Sequence, residues 1–146
     1  MDPQLAAMLK LWASLRAAHH LYWTLHWQAK GSSFQGDHTL FGGLYQERVE
    51  EIDNLAELIA AHYGAQTLEP MKAWKAAEEC IATAMAAPTP VFIAEMVLEY
   101  VEVANDECMS GKYPAGTTNL ISDIGTNHLK ALYKLKQRYM AGPAKL

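Results

Sequence analysis

Residues 25–38 read LHWQAKGSSFQGDH, and this stretch decides how the chain folds. Gly31, Ser32 and Ser33 interrupt an otherwise helical pattern, so it reads as a tight turn between two helices, with His26 before the turn and His38 after it. Upstream, Asp2 offers a cap ahead of Pro3, and Leu5, Met8, Trp12, Leu15, His19, Tyr22 and His26 recur at helical spacing, which predicts a first helix from Pro3 to Lys30. Downstream, Ser32, Ser33 and Asp37 are candidate caps for a second helix. Its apolar positions Phe41, Leu44, Val49, Ile52, Leu55, Ile59 and Tyr63 lead to a stop at Gly64. An antiparallel hairpin of the two helices sets both imidazoles at one corner.

The rest of the chain continues in helices. Pro70 opens a shorter amphipathic segment through Met71, Trp74, Ile81 and Met85, which Pro88 and Pro90 end; it reads as an interlude in a long connection, not as a helix of the bundle. Thr89-Pro90 starts a third long helix carrying Phe92, Met96, Tyr100, Val101 and Ala104, and GKYPAG at 111–116 interrupts it. Thr117 or Thr118 then caps a fourth, with Ile121, Ile124, His128, Leu132, Leu135 and Tyr139 on one side, stopped by Gly142-Pro143. The expected fold is all-α: one domain over 1–146, a four-helix bundle with a short extra helix between its second and third helices. Leu11, Leu21, Trp23 and Leu25 lie off the main seam of the first helix, an extra apolar face expected to meet a partner subunit.

At 146 residues and 51% apolar side chains, one compact domain with a real core is expected. No apolar run approaches the ~18 to 20 residues of a membrane span, and MDPQLAAML lacks the layout of a signal peptide, so a soluble cytoplasmic protein with no membrane partner is expected. Cys80 and Cys108, without a CxxC or a Cys/His ladder, read as buried reduced thiols. The net charge of −4 is unlike a nucleic-acid footprint, which is normally basic.

On the second helix, EEIDNLAE sets Asp53 and Glu57 one turn apart on one face. With Glu47, Glu50 and Glu51 nearby, they read equally as a solvated acidic stripe. Two histidines and two carboxylates would suit iron or another divalent transition metal. Yet His38 and Asp53 are separated by a helical rise of roughly 22 Å, against the ~2 Å of a metal bond. Either the four are unrelated polar residues, or two chains pack antiparallel about a two-fold axis and each histidine corner meets the other chain's carboxylates.

HWQAKGSSFQGDHTLF followed by EEIDNLAE resembles the signature of the Dps family of mini-ferritins, with its HW, KG, F and second H, and then D-x-x-A-E. VAND at 103–106 and TTNLISDIGTNHLKALYKL at 117–135 extend the resemblance over nearly the whole chain. It implies a ferritin-like subunit of a hollow twelve-subunit shell. In that shell, iron arrives as Fe(II), is oxidised at two-fold interfaces, preferentially by hydrogen peroxide rather than dioxygen, and is stored inside as ferric mineral. By position, His26 and His38 would come from one subunit and Asp53 and Glu57 from its partner, all four both metal-ligating and catalytic. The within-bundle di-iron pattern of other ferritin-like proteins uses Glu-x-x-His pairs, which this sequence lacks.

The sequence departs from the family where an acidic residue commonly stands one turn after the second histidine: here it is Gly42, then Gly43. An aspartate placed at 42 is therefore expected to add a hard oxygen ligand for a second iron and to favour the helix. Asp37, beside His38, is a possible auxiliary ligand. The pore-lining acids ahead of the family's fourth helix are replaced by YPAG, with Asn119 where Asp is frequent; Asp106, Glu107 and Asp123 are the remaining candidates for a negative entry funnel. His19, His20, His62 and His128 are expected to be hydrogen-bonded structural histidines.

Two rival functions are a DNA-condensing shell and a shell without chemistry. DNA would have to be held by Lys130, Lys134, Lys136 and Arg138, with Lys145 in the closing GPAKL, against a charge of −4 per chain, and so is not expected.

Overall fold

A computed structural model describes residues 2–139. Five α-helices follow in order: α1 Pro3–Gln28, α2 Phe34–Tyr63, α3 Pro70–Met85, α4 Val91–Ser110 and α5 Ala115–Tyr139, with no strand among the described residues. None of these helices is long and apolar enough to cross a membrane. The expected stop at Gly142-Pro143 and Lys145 lie outside the described residues.

The local chemistry at the helix ends accounts for their positions. Asp2 caps α1, accepting from the backbone N–H of Gln4 at 2.8 Å and of Leu5 at 3.3 Å, with Pro3 in the first turn. The helix ends at Gln28, two residues before the expected Lys30, because Ala29 and Lys30 turn extended to lead into Gly31 at φ +78°. Residues 31–33 form a short 3-10 turn. Ser33 then precedes α2 without a side-chain cap, and Asp37 sits inside the first turn rather than capping it. Gly64, at φ +92°, ends α2 as expected. Thr89 Oγ1 accepts from Val91 N at 3.3 Å at the start of α4. The expected cap of α5 at Thr117 or Thr118 is corrected: the helix begins at Ala115, and Thr117 is buried, its hydroxyl bonded to His62 Nε2 at 2.9 Å.

α1 and α2 form an antiparallel hairpin, as do α4 and α5, and α1 packs on α4. The first hairpin is tied at its middle by Trp12, whose indole N–H donates to Ile52 O at 3.1 Å. Met8, Leu11, Leu15, Leu55, Ile59, Val97, Ile121, Ile124 and Leu135 fill the centre, each almost fully excluded from water, and each such side chain contributes about 1.5–3 kcal/mol on burial. α2 and α5 meet sparsely and leave a groove of about 400 Å³ between them.

The expected short helix in the connection is α3, Pro70–Met85. It packs along α1 and so covers part of its extra apolar face: Leu11 is fully buried, while Leu21 and Leu25 are half-buried beside Ile81 and Ala84. The large apolar side chains that α1 leaves exposed are Trp23 and Trp27, next to the histidine corner. Both cysteines are free and buried, and burial pushes the Cys108 thiol up to about 11.

Candidate metal site

The turn between α1 and α2 brings His26 and His38 into direct contact. Each ring is held by the other residue's backbone: His26 Nδ1–H donates to His38 O at 2.6 Å, and His38 Nδ1–H donates to His26 O at 2.9 Å. A carbonyl can only accept, so Nδ1 carries a proton in both rings, and the tautomer that binds a metal is the one with its lone pair on Nε2. Outer partners of this kind commonly set the tautomer of metal-binding histidines. The rings stack with centroids 3.7 Å apart and planes at 20°; Phe34 stacks on His38 at 4.9 Å and Tyr45 meets His26 edge-on at 5.4 Å. Trp23 stacks on Tyr45 at 5.3 Å and lies 4.7 Å from Trp27, so an aromatic wall runs from the pair to the surface.

Gly42 is the floor of this arrangement. It is buried, and a Cβ built there would come within 3.1 Å of both Cε1 and Nδ1 of His26. Position 42, where an aspartate is expected to add a ligand, faces the His26 ring, and a side chain there would press on that ring, already tied to the His38 carbonyl. A Cβ at Gly43, by contrast, would meet nothing within 4 Å.

Asp53 and Glu57 are exposed on α2, one turn apart. They lie fifteen residues beyond His38, roughly 22 Å by helical rise. Among the described residues no three His, Cys, Asp or Glu side chains are gathered as one metal-binding group. The fold thus makes two half-sites: an imidazole pair at the α1–α2 turn, His26 from α1 and His38 from α2, and a carboxylate pair further along α2. Asp37, considered as an auxiliary ligand, is engaged elsewhere: Arg138 Nε and Nη2 donate to its two oxygens at 2.7 and 3.1 Å, a bidentate pair that raises the Arg138 pKa. Of the candidate funnel residues, Asp106 is exposed and Glu107 half-buried in the last turns of α4, while exposed Asp123 lines the α2–α5 groove with Glu47, Glu50, Lys130 and Lys134.

The remaining histidines divide. His62 and His128 are hydrogen-bonded structural residues, as expected, whereas His20 is exposed against Trp74 and half-buried His19 packs between Trp23 and Tyr45. Burial, followed by the neighbouring His20, Arg16 and Arg48, lowers the His19 pKa.

A second polar cluster went unread in the sequence. Glu51, taken there as part of a solvated stripe, is buried, and so is Arg48. Arg48 Nε donates to Glu51 Oε1, His128 Nε2–H donates to the same oxygen at 3.1 Å, and Asn127 Nδ2 donates to Oε2 at 3.2 Å. Burial alone would push the Glu51 carboxyl up; the hydrogen bond and charge of His128, the Arg48 charge and the Asn127 hydrogen bond outweigh it and hold the group below the usual range. His128 is held below its ordinary value chiefly by burial, helped by Arg48. The signal was spacing: Leu44, Arg48, Glu51, Leu55 and Ile59 form one helical stripe, so the two charges sit on the core seam.

Comparison with protein-family models, with curated proteins and with solved structures returned no match. The functional reading therefore stands on these residues and their geometry.

Proposed function

We propose that the chain is the subunit of a ferritin-like shell of the Dps type, which stores iron after oxidising Fe(II) at sites shared between two subunits and so removes peroxide in the cytoplasm. The observation that carries this reading is the reciprocal His26/His38 pair at the α1–α2 turn, with both Nε2 atoms left without a hydrogen-bond partner, together with an Asp53/Glu57 pair on α2 that it cannot reach. A second copy would supply the carboxylates, the hard oxygen donors that complement imidazole for iron. In a closed assembly of this kind, twelve copies in the family it resembles, each two-fold axis would generate two equal sites.

The ring geometry bears on how iron would be held. The two rings, stacked with centroids 3.7 Å apart, would each offer iron one imidazole nitrogen. Two Fe(II) give up two electrons, which with two protons reduce one hydrogen peroxide to two waters; dioxygen would need four. Gly42 adds no oxygen ligand, so the carboxylates at each site would come from the partner subunit and the remaining positions from water.

The DNA-condensing alternative has less behind it. Arg138 is paired with Asp37, and Lys130 and Lys134 share their groove with Glu47, Glu50 and Asp123. A low-salt gel shift tests it.

Complementation tests the shared site. His38→Ala and Asp53→Ala shells should each oxidise Fe(II) with peroxide at least about 100-fold more slowly than the wild type. Shells reassembled from a mixture of the two should recover part of the rate, because a mixed pair holds one intact site. No recovery in demonstrably mixed shells would remove the proposal.

A further inference from the structure

We infer that Cys80 and Met96 form a binding site for a soft monovalent metal ion, copper(I), in the cavity between α1, α3 and α4. The site lies apart from the histidine corner and stands whether or not iron is held there. α3 and α4 meet sparsely, and with α1 they line a cavity of about 290 Å³. Two sulfur-bearing side chains share its wall from different helices, Cys80 from α3 and Met96 from α4. Both are withdrawn from bulk water, at 7% and 3% exposure. Tyr100, one turn after Met96 on α4, brings an oxygen to the same wall, and Cys80 Sγ–H donates to its hydroxyl at 4.0 Å. A thiol, a thioether and a phenol thus surround one space.

The donor chemistry selects the ion. Thiolate and thioether are soft ligands, which favour Cu(I) over the hard cations that carboxylates hold. A structural zinc ion would require a full tetrahedral set of nitrogen and sulfur ligands, which this wall does not offer, whereas Cu(I) is content with few donors. Exposed Glu79 and Glu99 against Lys10 give the cavity an acidic lining that draws cations in. On binding, the Cys80 thiol releases its proton to solvent and the thiolate sulfur takes the metal, while the Tyr100 O–H, which had accepted from the thiol, turns to donate to the thiolate. Burial, with Glu79 behind it, pushes the Cys80 pKa up against the Tyr100 hydrogen bond, so without metal the group stays an unreactive thiol. Free Cu(I) passes one electron to hydrogen peroxide and splits it into hydroxide and hydroxyl radical. Copper held between the two sulfurs is kept from that reaction.

Anaerobic titration of the full-length protein with Cu(I), in competition with a chromogenic chelator, tests the site. The wild type should take up copper with a near-ultraviolet thiolate-to-copper absorption that saturates at one ion per chain. Cys80→Ala should lose that absorption. Met96→Leu, which keeps the volume of the side chain, should weaken the binding by at least about tenfold. Cys108→Ala and His38→Ala should leave the absorption unchanged, because neither residue belongs to this cavity. Circular dichroism checks that each variant is folded, and Met96→Leu decides the matter if Cys80→Ala is not. A wild type that takes up no copper, an absorption that survives Cys80→Ala, or an unchanged affinity in Met96→Leu overturns the proposal. Any of these results leaves the iron site to its own test by complementation.

Discussion

The α1–α2 corner and the centre of the bundle both hold histidine close to carbonyl or carboxylate oxygen, yet they are finished to different degrees. At the centre, His128 spends its Nε2–H on Glu51, and Arg48 and Asn127 complete the carboxylate's hydrogen bonds, all within one chain, although Arg48 Nη1 and His128 Nδ1 stay buried without a partner. At the corner, His26 and His38 use only Nδ1, on each other's carbonyls, and keep Nε2 unspent. A buried ionised group must find its partners inside the fold, since leaving it alone costs several kcal/mol. A surface group carries no such obligation and can wait for a ligand. The same residue type thus does structural service in one place and is held ready in the other.

Glu51→Ala attacks that contrast most severely. It leaves the buried Arg48 charge with only Glu47, an exposed carboxylate at 3.2 Å, and should cost about 3 kcal/mol, lowering Tm by on the order of 10 °C in a domain of this size. Replacing both partners, Arg48→Met with Glu51→Leu, should cost clearly less than Glu51→Ala alone. If the double variant is the less stable in a thermal melt, the network is a net source of stability and not mainly a mutual obligation.

Acid should strain the centre as well. His128 is held below its ordinary value of 6.5, so below that pH the unfolded chain takes up a proton that the folded chain resists, and stability falls. Glu51 is held below its ordinary 4.5, so its contribution is present above that value and drains away as pH falls through its lowered pKa. Both slopes have the same sign: unfolding free energy from urea titrations should decline steadily from pH 7 towards pH 4. In a His128→Gln background the part of the decline that begins below 6.5 should shrink to the share of His19, whose pKa is also lowered; an unchanged curve would assign it to His19 alone.

Gly42→Ala probes the corner with the smallest change. The helix gains about 1 kcal/mol from alanine, while the new Cβ presses on the His26 ring, a strain of the order of 1–3 kcal/mol. Global stability should move little, but Fe(II) affinity should drop about tenfold as the ring leaves its place. Gly43→Ala, which meets nothing, should stabilise the fold by about 1 kcal/mol and leave iron binding alone. Equal iron affinity in both variants, measured by anaerobic titration, would show that the floor under His26 is dispensable.

These residues also mark how far the sequence can be read. Helix spans followed from Pro3, Gly64 and the apolar period, because those signals are local. The pairing of His26 with His38 followed from a short turn between two helices. The seat of His26 on Gly42 was not legible because spacing reports which face of α2 a position occupies, not which ring from α1 lies on it. Asp37 was misread because its partner, Arg138, is 101 residues away. Arg48 and Glu51 were overlooked because charge normally argues for exposure, and only their place on the Leu44–Leu55 stripe argued otherwise. The coverage of α1 by α3 depends on tertiary packing that no local window contains.

The reciprocal hydrogen bonds at the corner have one more consequence, for how this protein can change. His26 and His38 are fastened to each other across the neck of the hairpin, so the residues beyond the neck, Gly31 to Ser33, carry none of the imidazole geometry. That tip is the natural place for insertion. A few added residues after Ser32 should alter what the surface displays there while the stacked rings below keep their register, as a hinge pin holds when the handle is lengthened.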